Sequence, residues 1–286
     1  MTIRHILVQV RSIVFLFILA SLPLTITAVN GRVKLNWEGI IKNVQSFIEG
    51  LVNGSSLYYL EGERLLFFPK EVLKHFATSY FYGIASSILV LILALIFGIL
   101  LWKSEKGFQT IIGFIAIIPD FVLIFLLQML VIFIYDITGM KVARVASPTM
   151  EEPAVALPLI VLFILPFVYL VRSLSEKTFD ILTEDYIRTA ISKGFKRRYI
   201  YLYHVTPNIL PYLKADLHKV ASIMISNLFI VEYLFNINGL TSMLFPMVNE
   251  YQYNLIILCF ASMFILYLFI FFSLKLVIIT LERILK

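Results

Sequence analysis

Cysteine is nearly absent: Cys259 stands alone in 286 residues, so no disulfide can form within the chain. It lies inside an apolar run, where a single thiol serves packing rather than chemistry. Charge is scarce too. Asp, Glu, Lys and Arg make up 15% of the residues, against about 25% in an ordinary soluble domain. No G-x-x-x-x-G-K-[ST] phosphate loop occurs, so hydrolysis of ATP by this chain is not expected. No pair of apolar spans repeats another, which argues against a self-contained secondary transporter.

Apolar sequence is abundant instead. Hydrophobic residues are 60% of the chain, and the mean hydropathy is +0.92. They come in runs that match the ~20 residues a helix needs to cross a ~30 Å hydrocarbon core. The pattern predicts an all-α integral membrane protein of about six transmembrane helices. The expected spans are 12–29, 76–102, 108–135, 153–171, 219–235 and 255–279. The first resembles a signal peptide in carrying Arg4, Arg11 and the small residues near Ala28. Its apolar stretch exceeds the usual ~7–15-residue signal core, so an uncleaved helix is expected. Residues 1–29 thus form a first span, 30–75 an extracellular loop, and 76–286 a five-helix core. One short helix is expected in that loop around Trp37–Leu51, with Gly50, Gly54 and Gly62 as breakers. Pro153 suits a first helical turn, whereas Pro158 and Pro166 lie inside the fourth span and free backbone carbonyls there.

The net charge of +6 is distributed as a topology signal, and nucleic acid is not an expected partner. Arg4, Arg11, Lys103, Lys106, the stretch from Arg172 to Lys214 and the C-terminal Arg283 and Lys286 fall on one side of the six spans. Loops 136–152 and 236–254 on the other side carry two basic residues and none. Lysine and arginine prefer the cytoplasmic side and membrane lipids with acidic headgroups, so both termini are expected inside. The 30–75 loop runs against this, with six basic residues: Arg32, Lys34, Lys42, Arg64, Lys70 and Lys74.

The cytoplasmic segment 172–218 is the most informative. Glu184 and Asp185 open a stretch with helical spacing, where the dipole favours anions, and Tyr186, Ala190 and Lys193 fall near one face with Thr189 beside them. Gly194 sits where a helix stops in a left-handed turn. Phe195, the basic run Lys196, Arg197, Arg198 and then His204, Pro207, Asn208, Leu210 and Pro211 follow. Composition alone makes this a solvated basic loop. Two acids lie within spans. Asp120, after Pro119, is expected near the bilayer centre, either lining a pathway or bonding between helices, since buried charge in a membrane tends to face a cavity or a partner. Glu232, near the outer end of the fifth span, is expected in an outer gate or in capping its helix.

The run Glu184, Asp185, Tyr186, Ile187, Arg188, Thr189, Ala190, Lys193, Gly194 resembles the signature loop of the dipeptide, oligopeptide and nickel permease family of bacterial ABC importers. Ser192 replaces the usual alanine there. His204, Asn208, Leu210 and Pro211 extend the match, as do Leu165, Pro166 and Arg172 upstream and Ile230–Phe235 with Gly239 and Leu240 downstream. Asn238 stands where the family has proline. The resemblance covers about Ser79 to the C-terminus. It implies a type I ABC importer-like permease fold that forms half of a peptide translocation pathway, with nickel or another small solute as the second choice. It also implies a second permease subunit, two cytoplasmic ATPase subunits that bind the ATP, and an extracellular substrate-binding lipoprotein. The chain itself needs no cofactor or metal and is no enzyme. By the same resemblance Glu184, Asp185, Tyr186, Arg188, Thr189, Ala190, Lys193, Gly194 and Phe195 couple to the ATPase, with Tyr186, Ala190 and Phe195 as apolar contacts. The N-terminal span favours the first of the family's two subunit types, whereas Pro207–Asn208 looks more like the second. A membrane sensor or scaffold on the same fold is the alternative of a different class.

Overall fold

The structure, a computed structural model, describes residues 15, 17–29, 32–100, 113–115, 117–149, 152–248 and 251–285. Five helices among them are long and apolar enough to cross a bilayer: Phe68–Ile99, Asp120–Thr138, Ala156–Thr183, Arg197–Leu234 and Tyr253–Ile284. Most of the expected first span, residues 15 and 17–29, is described, whereas Arg4, Arg11, Lys103, Lys106 and Lys286 lie outside the described residues. The chain divides into two compact units, 1–77 with 239–264 and 78–238 with 265–286.

In the first unit, helix α1 (17–25) stops at Thr25. The expectation that the first span continues to Val29 is therefore corrected. β1 (Ile26–Val29) pairs antiparallel with β2 (Arg32–Leu35) instead, since the run Ile-Thr-Ala-Val favours the extended backbone. Helix α2 (Trp37–Asn53) is capped by the Asn36 side chain, which accepts from the Gly39 amide, and is stopped by Gly54 at φ +84°. Gly50 is no breaker: it is buried within α2, and a Cβ there would meet Ser56 Oγ at 2.0 Å. A second hairpin, β3 (Tyr58–Glu61) and β4 (Arg64–Phe67), turns at Gly62, whose φ is +62°. Ala20, Phe47, Tyr253 and Ile257 form this unit's core, with Phe17 packed on it. Phe47 meets the Tyr253 ring edge-on at 5.9 Å. The Gln252 side-chain amide bonds both the N–H and the carbonyl of Leu60, each at 2.7 Å, so β3 gains an additional partner along its edge. Burial raises the Tyr59 phenol to about 12, which keeps it neutral well above physiological pH.

The second unit is helical. It contains most of α3 (Phe68–Leu100), α4 (Asp120–Thr138), α5 (Ala156–Thr183), α6 (Asp185–Ser192), the short α7 (Arg197–Tyr199), a π-helical segment Ile200–Val205, α8 (Thr206–Leu234) and the second half of α9 (Tyr253–Leu285). α5 and α8 are its most extensively packed pair, running antiparallel with Leu162, Leu170, Leu174, Leu213, Leu217, Ala221 and Leu228 at 0–1% exposure. Polar bonds fasten the helices where lipid offers no competing water. Asp216 on α8 accepts from Tyr169 Oη at 3.0 Å and Ser173 Oγ at 2.5 Å, both on α5. Lys214 on α8 pairs with Glu282 on α9 at 2.5 Å, and Tyr82 Oη on α3 donates to the Ala154 carbonyl at 2.6 Å.

Several boundaries differ from those expected. The segment 172–218 is mostly helix: α5 continues to Thr183 and α8 begins at Thr206, because Tyr169, Ser173 and Asp216 satisfy one another on facing surfaces. Pro158 falls in the first turn of α5, and only Pro166 lies in its interior. The expected third span is interrupted at 117–119, and helix α4 starts at Asp120 with Pro119 at its N-cap in an extended conformation (ψ 144°). Asp120 is thus a first-turn residue at the positive end of a helix dipole, not a residue twelve positions into a continuous span.

Helices approach closely at Gly98, where an added Cβ would lie 2.6 Å from Leu174 Cβ. Gly98→Leu is expected to destabilise the fold by about 1–3 kcal/mol through overpacking. A lowered unfolding temperature of the purified protein in detergent checks this.

Candidate functional site

The residues singled out between positions 184 and 211 gather at one end of the α5–α8 pair. Glu184 occupies the N-cap of α6 in an extended conformation (ψ 147°), and Asp185 takes the first turn. Thr189 Oγ1 donates to the Asp185 carbonyl at 3.0 Å, and Ser192 Oγ to the Thr189 carbonyl at 2.9 Å. Arg188 reaches Asp185 at 3.4 Å, with both side chains largely in solvent, so that pair contributes little to stability.

α6 closes in a Schellman arrangement. The Phe195 amide donates to the Ala190 carbonyl at 3.3 Å and the Gly194 amide to the Ile191 carbonyl at 2.9 Å. Gly194 supplies the left-handed φ of +79° this closure needs. The short helix has two faces. Ile187 (0% exposed) and Ala190 (5%) face into the chain, whereas Tyr186 (44%), Ile191 (59%) and Phe195 (44%) are open. Ala190, expected as an outward apolar contact, is therefore covered by its own chain, and Ile191 takes its place on the open face. Helical spacing allows either side, since Ala190 is three residues from Ile187 and four from Tyr186. Lys193, Lys196, Arg197 and Arg198 are exposed around the apolar group.

α6 is tied to the start of α8. Asn208 Nδ2 donates to Tyr186 Oη at 3.1 Å and to the His204 carbonyl at 2.6 Å. Desolvation raises the Tyr186 phenol above its ordinary value, with Glu184 second and the Asn208 bond opposing. Phe195 stacks on Tyr199 at 4.9 Å, and His204 lies 5.8 Å from Tyr199, 6.3 Å from Phe195 and 6.5 Å from Tyr186. The intervening π segment has a local cause. Pro207 cannot donate a backbone N–H one turn back. The chain widens by one residue, and both the amide and the hydroxyl of Thr206 bond the Tyr201 carbonyl. Widened turns of this kind recur at functional sites.

The two intramembrane acids are not brought to this end. Glu232 lies in the last turn of α8 at 1% exposure, and its carboxylate accepts from Ser79 Oγ of α3. Asp120 begins α4. The turn after α8, where Asn238 replaces the expected proline, is made by Asn236 at φ +51°, and the Asn236 side-chain Nδ2 donates to the Ser147 carbonyl at 2.8 Å. Asp216 and Gln128 were not singled out from sequence, although an acid flanked by lysines at a polar-to-apolar boundary is a readable signal for the first. No group of three or more His, Cys, Asp or Glu side chains among the described residues could hold a metal ion.

Removing the phenolic oxygen with Tyr186→Phe is expected to cost about 0.5–1.5 kcal/mol of local stability at α6. Faster amide hydrogen exchange over 185–192, with α5 and α8 unchanged, is the measurement.

Two comparisons relate the chain to known proteins. A family described as "Binding-protein-dependent transport system inner membrane component" matches residues 90–286. A relative, the "Dipeptide transport system permease protein DppB" of Bacillus subtilis (strain 168), is 25% identical over 186 residues, covering 63% of this chain. The chain spans 58% of that relative's length.

Proposed function

The chain belongs to the family of binding-protein-dependent transport system inner membrane components, and from that premise we propose that it forms half of the translocation pathway of an ATP-driven importer for peptides. It is a multi-pass membrane subunit of a transporter, not an enzyme. ATP is bound and hydrolysed by two cytoplasmic ATPase subunits, a second permease subunit completes the pathway, and an extracellular lipoprotein delivers the substrate. The host membrane is a bacterial plasma membrane, with both termini on the cytoplasmic side.

The observation that carries the coupling role is the two-faced α6. Its inner face, Ile187 and Ala190, is packed against its own chain. Its outer face offers Tyr186, Ile191 and Phe195 inside a ring of Arg188, Lys193 and Lys196–Arg198. An amphipathic helix seated in a partner's groove presents this kind of face. Apolar anchors supply the affinity, and the rim charges govern association rate more than strength. Because Tyr186 is bonded to Asn208, a displacement of α6 acts on α8, and rigid-body tilting of packed helices alternates access. Glu184, Asp185, Thr189 and Gly194 serve this by shaping α6.

Peptide as substrate is supported by the resemblance to a dipeptide permease. Nickel or another small solute is the second choice. Uptake by the reconstituted complex of labelled dipeptides against nickel chelates decides between them, with dipeptide accumulation expected.

Gly194 has nothing within 4 Å of a built Cβ, so substitution there acts through backbone strain alone, about 1–2 kcal/mol. Gly194→Val is expected to lower substrate-stimulated ATP hydrolysis and uptake by about tenfold while membrane insertion stays normal. Normal uptake in that variant would sink the coupling assignment.

A further inference from the structure

At the opposite end of the α5–α8 pair from α6, the segment after α4 borders an open cavity of about 530 Å³. One wall is the last turns of α4, with Val131, Ile132 and Tyr135 lining it. The other is the segment 141–148, which polar bonds hold in place. Gln128 Nε2 donates to the Val145 carbonyl at 2.8 Å. Ser147 donates its amide to the Phe235 carbonyl at 2.8 Å, receives the Ala154 amide on its Oγ at 2.9 Å, and receives the Asn236 side chain on its carbonyl. The cavity is thus preformed rather than a gap between mobile ends.

Its lining is apolar except at a cationic rim. Arg144 pairs with Glu152 at 3.1 Å, and Lys141 lines the same cavity with no ion pair among the described residues. Among the described lining residues two bases therefore face one acid. The apolar wall continues outward from the cavity. Ile132, Met129 and Phe125 follow Tyr135 up one exposed strip of α4, at 48%, 67% and 49% exposure. The other side of α4 faces the rest of this unit, with Ile124 at 0% exposure and Gln128 bonded to the Val145 carbonyl. From Tyr135 to Phe125 is ten residues, about 15 Å along a helix, or half of a ~30 Å hydrocarbon core. The strip therefore has the length of one leaflet.

We propose that this cavity is a binding site for an anionic phospholipid, with Lys141 and Arg144 taking the phosphate, Tyr135 at the interfacial level, and an acyl chain lying along Ile132, Met129 and Phe125. A phosphate with an apolar tail satisfies both halves of the site at once. A free anion without a tail would leave the apolar strip of α4 uncovered. Basic pockets between membrane-spanning helices bind lipid headgroups on the cytoplasmic side, and the same charge pairing is open to a phosphate of the outer leaflet.

The test uses the intact transporter complex in vesicles of phosphatidylcholine with or without phosphatidylglycerol, followed by mass spectrometry of the lipid retained by this subunit after detergent extraction. Wild-type protein is expected to retain phosphatidylglycerol in preference to phosphatidylcholine. The double variant Lys141→Glu, Arg144→Glu is expected to retain at least about fivefold less, since each basic charge near a phosphate surface contributes roughly that factor. Glu152→Gln, which frees Arg144, is expected to retain more. All three side chains are exposed, so a matched unfolding temperature shows that the variants fold. Equal retention of the two lipids, or retention unchanged in both variants, overturns the proposal. Displacement of the lipid by millimolar inorganic phosphate would assign the rim to a free anion and also overturn it.

Discussion

Everything at the functional end depends on how α5 and α8 are held against each other. Within a bilayer, apolar surfaces on two helices gain little by meeting, since lipid is equally apolar. Close packing and a small number of polar bonds must fix the pair. Asp216, held by Tyr169 and Ser173, is the main such bond, and it lies toward the end that carries α6. A carboxylate there without its two hydroxyl donors would be a costly group in a poorly solvated place. Its partners therefore set the register of α8 on α5, and that register sets where α6 and the aromatic group around His204 fall.

The π segment Ile200–Val205 and the Asn208–Tyr186 bond are two consequences of one sequence feature. Pro207 removes a donor, the helix widens to compensate, and the extra residue helps set His204 among Tyr186, Phe195 and Tyr199. Asn208, one residue later, then reaches both the His204 carbonyl and the Tyr186 phenol. The short helix is not a loop appended to the bundle. It is braced against α8 by side chains and against its own interior by Ile187.

Much of this was legible in the sequence, and the failures have physical reasons. Apolar runs locate spans well, and Trp37 and Gly54 mark α2 through composition and turn chemistry. Helix ends were misplaced at 172–218 because hydropathy tracks lipid contact, whereas polar residues such as Ser173 and Asp216 can continue a helix by bonding one another. Asp120 opens a helix rather than lying inside one, because Pro119 at the N-cap interrupts the apolar run that counting treats as continuous. At α6 the residue types suited an amphipathic helix, but Ala190 was assigned to the outer face. Small residues pack inward where two elements approach closely, and only three-dimensional placement shows that Ile187 and Ala190 share that side. Bonds between distant residues, such as Ser79 to Glu232 or Gln128 to Val145, leave no local signal.

The central claim is that the open face of α6 is where a cytoplasmic ATPase holds this subunit. The most direct measurement places a photo-crosslinking residue at Ile191 in the intact importer and identifies what it captures by mass spectrometry, with and without ATP. The account predicts a single adduct to a subunit bearing a phosphate-binding GxxxxGK[ST] loop, and none from the same probe at the buried Ile257. Capture of lipid alone at Ile191, or of no partner in a complex that still transports, would contradict it.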